Sequence, residues 1–205
     1  MRANPPPRPS RPPRHLPPEI LTPAEVAALL GACAGDSYRA VRCRALIALL
    51  YRSGLRIAEA LALYPKDVDE ARSSVRVLRG KGGRSRTVGI DAGGLALLRP
   101  WLQRRAAMGF TGAHPLFCTA WGRPLAAASV RRMLPALARR AGVAKRVHAH
   151  GLRHTHASEL REEGVDIGVI SKQLGHQDIS TTARYLDHIA PWAVVEAVSR
   201  RVWLE

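Results

Sequence analysis

Val75-Arg76-Val77-Leu78 and Arg86-Thr87-Val88-Gly89-Ile90 stand on either side of Gly80-Lys81-Gly82-Gly83. Apolar and polar residues alternate here, the period of a half-buried strand. The glycines between tolerate positive φ, so a β-hairpin is the expected connection. Outward from this stretch the period is helical. Thr22-Pro23-Ala24-Glu25 combines an N-cap threonine, a proline at the first helical position and a glutamate three residues after the cap, a capping box that opens a helix running to about Cys33. A second helix, about 38–53, carries the apolar stripe Val41, Ala45, Leu46, Leu49 and Leu50, and Gly54 is set to end it. A short helix follows at about 56–63. Beyond Asp91, helices are expected at about 92–107, 126–141, 151–163, 166–174, 179–187 and 192–203, with Pro135 kinking or splitting one and Gly164 capping another. The fold class is mostly α with a small antiparallel β-hairpin or sheet (α+β). Residues 1–18, with eight Pro, four Arg and no acid, read as a flexible basic arm. Residues 19–190 form the folded domain, and 191–205 a C-terminal helix.

The 205 residues carry a formal net charge of +16, which favours a polyanionic partner, nucleic acid above all. An arginine-rich genome would raise arginine everywhere; it would not empty particular segments of acids. Yet 92–158 holds eleven basic residues and no acid, and 71–90 holds six and no acid. A phosphate-binding surface is therefore expected from these segments, with Arg84, Arg86, Arg131, Arg132, Arg139, Arg140, Lys145 and Arg146 as candidates. Cys33, Cys43 and Cys118 are odd in number and lack Cys-x-x-Cys spacing. They suit buried thiols in a reducing cytoplasm better than disulfides or a metal site. No run approaches the ~18 apolar residues of a membrane span, and no secretory signal is visible.

The C-terminal third carries the chemistry. His150-Gly151-Leu152-Arg153 is followed by Leu174-Gly175-His176, and Tyr185 comes nine residues after His176. Upstream lie Arg56, in Ser53-Gly54-Leu55-Arg56-Ile57-Ala58-Glu59, and Lys81 in its glycine-rich tip. A phosphodiester yields to attack when its charge is neutralised and its leaving oxygen is protonated. Arginine forks bind two phosphate oxygens and stay charged, so two of them can balance a pentacovalent transition state. His150 and Arg153, spaced i,i+3, share one face at a helix N-terminus, where an anion is already favoured. A phenol titrates at about 10 and needs a neighbouring base and a cationic site to act as a nucleophile. Tyr38, Tyr51 and Tyr64 are its rivals, but none adjoins a histidine motif. Taken singly, each group also has a plainer explanation: Arg56 and Lys81 as solvated side chains, Glu59 as an i,i+3 surface partner of Arg56, His176 as a helix cap. His148, His150, His154 and His156 invite a zinc site, which the charge of Arg153 among them opposes; no metal and no cofactor are expected.

Together these six residues, in this order and these contexts, resemble the tyrosine recombinase (phage integrase) family, over about 21–188. The resemblance implies a catalytic domain that recombines double-stranded DNA through a 3′-phosphotyrosine, giving integration, excision, inversion or resolution. It implies Arg56 and Arg153 as phosphate clamps, Lys81 as the acid that protonates the 5′ oxygen, and His150 as base or proton shuttle. His176 would bond a non-bridging oxygen, Tyr185 would be the nucleophile and Glu59 a supporting acid. It also implies a homotetramer on two DNA sites, with 191–205 docking on a neighbour, and a cytoplasmic, nucleoid-associated protein. Members usually carry a further N-terminal helical domain, which this sequence does not contain; an accessory DNA-binding protein is a possible substitute. Two other readings stay open: a type IB topoisomerase, and a DNA-binding regulator or excision helper with a vestigial site.

Overall fold

The computed structural model describes residues 19–78, 85–176, 178–189, 195, 198 and 199, though not the side chains of 184, 185 and 187–189. The arm 1–18, the hairpin tip with Lys81 and Arg84, and most of the expected C-terminal helix lie outside the described residues. Among the described residues, eight α-helices and three strands follow in order: α1 (Pro23–Ala32), α2 (Tyr38–Ser53), α3 (Ile57–Leu61), β1 (Val68–Asp69), β2 (Ser74–Val77), β3 (Arg86–Gly89), α4 (Ala92–Ala107), α5 (Ala127–Arg140), α6 (Ala149–Glu162), α7 (Ile167–Leu174) and α8 (Ile179–Ile189), with a single 3₁₀ turn, Pro65–Asp67, before β1. The class is α+β, as the periods predict.

Helix α2 is the axis of the domain. Ala45, Leu46, Ile47, Ala48, Leu49 and Leu50 are all fully buried, because α4 and α6 cover it from different sides. Helix α1 begins at the capping box: Glu25 N–H donates to Thr22 Oγ1, and Thr22 N–H donates to the Glu25 carboxylate at 2.7 Å. Asp91 opens α4 by accepting from Gly94 N–H at 2.7 Å. Trp101 on α4 is buried and donates its indole N–H to Leu116 O at 2.8 Å. A smaller apolar cluster, Ala157, Ile170, Leu174 and Leu186, ties α6, α7 and α8 together.

The sheet is antiparallel in the order β1-β2-β3, with Val68 opposite Val75 and Val75 opposite Val88. Val75, Val77 and Val88 are buried while Arg76 and Thr87 face out, so the alternation is real. The sequence reading missed β1, since two residues cannot display a period. Pro135 does not split α5, which runs unbroken and forgoes only the hydrogen bond that a residue-135 N–H would make. Gly164 has φ 79° just past the end of α6, as expected of a C-terminal cap. At the start of α8, Asp178 accepts from Ser180 N–H at 2.8 Å.

Segment 19–21 is stitched to α6 and the turn before it. Leu21 N–H donates to Thr155 Oγ1 at 3.1 Å, Lys145 Nζ donates to Ile20 O at 2.7 Å, and Arg146 N–H donates to the Glu19 carboxylate.

Candidate active site

Two helices end face to face at this site. Helix α2 closes at Gly54 (φ 61°) and α7 at Gly175 (φ 66°), both left-handed C-caps. Each is glycine for a second reason: a Cβ on Gly54 would lie 2.5 Å from the His156 ring, and one on Gly175 would lie 2.6 Å from Arg86 Nε. The carbonyls at these two ends carry the negative poles of their helices. Arg153 spans them, donating to Gly54 O at 2.6 Å and to Leu174 O at 2.7 Å. It is 1% exposed, so it lies deeper than an open helix face would suggest.

Arg56 is the N-cap of α3 and approaches the same turn, its Nη2 3.5 Å from Gly175 O. Its other contacts are to Glu59, which accepts from the Arg56 guanidinium and from Arg56 N–H, both at 2.9 Å. Glu59 is 5% exposed and also accepts a two-pronged fork from Arg86 at 2.8 and 2.9 Å. The surface-pair explanation of Glu59 is thereby corrected: a buried carboxylate holds two arginines. Burial alone would raise its pKa, but the Arg86 fork, Arg56 N–H and the Arg56 guanidinium outweigh that and bring it down to about 2.

His176 follows Gly175. Its Nε2 lies 3.2 Å from Arg153 Nη2, and its Nδ1 lies 2.8 Å from the hydroxyl of buried Thr182 on α8. Desolvation first, then the charges of Arg153, Arg56, Arg86 and His150, push its pKa down to about 4. His150, one turn before His154 on α6, packs edge-on against that ring at 4.3 Å between centroids. Its pKa is lowered by desolvation first, then by Arg153, His148 and Arg56. His148 is the N-cap of α6, accepting from Gly151 N–H at 3.0 Å. Among the described residues, no three His, Cys, Asp or Glu side chains come together as a metal-binding group.

Arg56, Glu59, His150, Arg153 and His176 are thus brought together. Tyr185 lies on α8 by its backbone, next to Leu186, which is 5% exposed in the α6–α7–α8 cluster. Its side chain, and all of Lys81 and Arg84, lie outside the described residues. Tyr51 is excluded as a rival: it is buried, hydrogen-bonded to Glu159, and pushed up to about 12 by burial and that carboxylate.

The basic residues expected to face DNA divide. Arg131, Arg132, Arg139 and Arg140 are exposed on α5, Arg140 also donating to Ala32 O at 2.7 Å. Arg146 is exposed beside His148. Arg86 is no open surface residue: its side chain is 15% exposed and forked on Glu59. Lys145 is paired with Glu25 at 2.7 Å, closing the seam to α1. In both cases a carboxylate distant in sequence claims the cation. Thr182, the hydroxyl partner of His176, belongs to none of the motifs that mark the site in the sequence.

The family model described as phage integrase matches residues 19–190. The tyrosine recombinase XerD of Ralstonia nicotianae is 38% identical over 175 residues, covering 84% of this chain and 56% of that protein. The tyrosine recombinase XerC of Xylella fastidiosa is 41% identical over 150 residues, covering 73% and 50%. The chain spans about half the length of these curated relatives. Among solved structures, XerA recombinase superposes with a TM-score of 0.79 at 30% identity, covering 93% of this chain and 68% of that one. XerH site-specific recombinase, bound to palindromic difH substrate in a post-cleavage complex, superposes at 0.72 with 28% identity, covering 89% and 53%.

Proposed function

The chain belongs to the phage integrase family, and on that premise we propose that it is a site-specific recombinase that cuts and rejoins double-stranded DNA through a 3′-phosphotyrosine. Arg56 and Arg153 grip the non-bridging oxygens of the scissile phosphate. Tyr185 Oη attacks phosphorus and its proton passes to His150. As the P–O5′ bond breaks, Lys81 protonates the departing 5′ oxygen. His176 donates to a non-bridging oxygen, whose negative charge favours the protonated imidazole. Glu59 holds Arg56 in place. A 5′ hydroxyl from a partner strand then attacks the phosphotyrosine and releases Tyr185. Fixed cations do here what divalent ions do in metal-dependent phosphoryl transfer.

The observation that carries this reading is the meeting of Arg56, Arg153 and His176 at the paired ends of α2 and α7. It gathers three phosphate-binding groups from separate sequence motifs at one point. The DNA-bound structure of the relative XerH supports DNA as the substrate. The exposed arginines of α5, with Arg146 and Arg84, track the DNA backbone. Four copies assemble on two sites, with 191–205 docking on a neighbour, where Val195 and Val198 are 54% and 59% exposed. An accessory DNA-binding protein adds grip on the site. The protein works in the cytoplasm, at the nucleoid.

The test is covalent trapping. Nicked duplexes tiled across the DNA flanking this gene are incubated in EDTA with wild-type and Tyr185→Phe protein and run on denaturing gels. An adduct that requires Tyr185 is the expected result, and it maps the cleavage site. Binding without any adduct would replace this reading with that of a DNA-binding regulator.

A further inference from the structure

Thr182 lies on α8 with none of its surface exposed. Four residues on, Leu186 belongs to the apolar cluster that ties α8 to α6 and α7, so the two share the buried face of that helix. A valine has the same shape and would fill the position without a polar atom. A hydroxyl buried in such a place is costly unless it finds a partner. Its partner is His176 Nδ1, 2.8 Å away.

His176 is thereby held by three helices. Its backbone N–H donates to Ser171 O on α7 at 3.0 Å, its Nε2 faces Arg153 of α6 at 3.2 Å, and its Nδ1 meets Thr182 of α8. The first contact fixes the backbone. The other two fix the ring and decide which nitrogen stands at which end. A guanidinium has only donors, so Nε2 accepts and Nδ1 carries the proton; a hydroxyl is able to accept that proton, and a methyl is not.

We propose that Thr182 is a positioning residue for His176: its hydroxyl accepts from Nδ1–H and so keeps Nε2 directed at the phosphate-binding end of the site. This rests on the reading of His176 as donor to a non-bridging oxygen. In the free site, Nε2 accepts from Arg153. With a phosphate in place the ring is an imidazolium, Nε2–H donates to the oxygen and Nδ1–H stays on Thr182. Arg153, Arg56 and Arg86 all oppose that extra charge. A hydroxyl that accepts in both states lets the ring take it up without leaving a buried N–H unpaired.

The experiment compares wild type with Thr182→Val, Thr182→Ser, His176→Ala and the double variant, by single-turnover cleavage of the nicked duplex carrying the mapped cleavage site. Thr182→Val keeps the shape and removes the hydroxyl. Cleavage should fall about 10- to 100-fold, the scale of a lost hydrogen bond to a charged group, with DNA affinity unchanged. Thr182→Ser, which keeps the hydroxyl, should cleave within a few-fold of wild type. In the His176→Ala background Thr182→Val should cost nothing further, because the two residues act as one unit. If Thr182→Val does not fold, Thr182→Ala takes its place in the same cycle. Undiminished cleavage by Thr182→Val overturns the proposal. So does a loss of the same size with and without His176, since it would then run through α8 and Tyr185. Nitrogen NMR of the free, histidine-labelled protein gives a reading independent of cleavage: the His176 proton should sit on Nδ1, and a proton on Nε2 overturns the proposal. If His176→Ala cleaves like wild type, the reading of His176 as a phosphate donor fails, and the proposal with it.

Discussion

Arg153 Nη2 and His176 Nε2 lie 3.2 Å apart, and a guanidinium has only donors. The imidazole must accept, so its proton sits on Nδ1, facing Thr182 Oγ1 at 2.8 Å. His176 is therefore neutral here, in keeping with a pKa pushed down to about 4.

A pH dependence follows. His154 is lowered to about 3 and His156 to about 4, both first by desolvation and then by neighbouring cations, and His176 is lowered likewise to about 4. In the unfolded chain these groups titrate near 6.5. Between 6.5 and about 4 the unfolded state binds more protons, so stability present above 6.5 is lost as pH falls through that window. The Tm of the free protein should drop steadily from pH 7 to 4.5. A flat profile would mean that the folded histidines are charged.

Glu59→Ala leaves Arg56 and Arg86 facing one another without their shared carboxylate. Losing one partner of a buried ion pair costs about 3–5 kcal/mol, read as a lower urea midpoint at constant m-value. Cleavage should fall with it, since Arg56 loses its seat. A change under ~1 kcal/mol would assign the trio the weight of a surface pair.

Gly175→Ala should be damaging out of proportion to its size. A left-handed Cβ costs about 1–2 kcal/mol, and this one would also displace the Arg86 fork. The variant should bind DNA and cleave it poorly; wild-type cleavage would mean that Arg86 can move without consequence.

The basic residues should separate by salt. Arg131→Ala and Arg132→Ala should each lower the slope of log K against log salt by about 1. Lys145→Ala should leave that slope alone and lower the Tm, because its ammonium already holds Glu25 and Ile20 O. The opposite pattern would move the DNA face from α5 to the α1–α6 seam.

Most of the helix ends were legible because their signals are local. Thr22, Gly54 and Gly175 each terminate or start a helix by their own chemistry. The site residues were legible as motifs, but not their depth: an i,i+3 spacing says that His150 and Arg153 share a side of α6, not that one is exposed and the other buried. The Glu59–Arg86 fork spans 27 residues and two kinds of element, and Gln173 reaches 84 residues back to Gly89. No periodicity encodes such pairings; they arise when separate segments pack and a buried polar group must find a partner.

The seam of Glu19, Ile20 and Leu21 along α6 makes that helix a lever as well as a wall of the site. Whatever is fused, bound or tethered ahead of Glu19 pulls first on Thr155, Lys145 and Arg146. Thr155 lies two residues beyond Arg153 on the same helix. A pull at the front of the chain thus has a hydrogen-bonded path to α6 that ends two residues from Arg153.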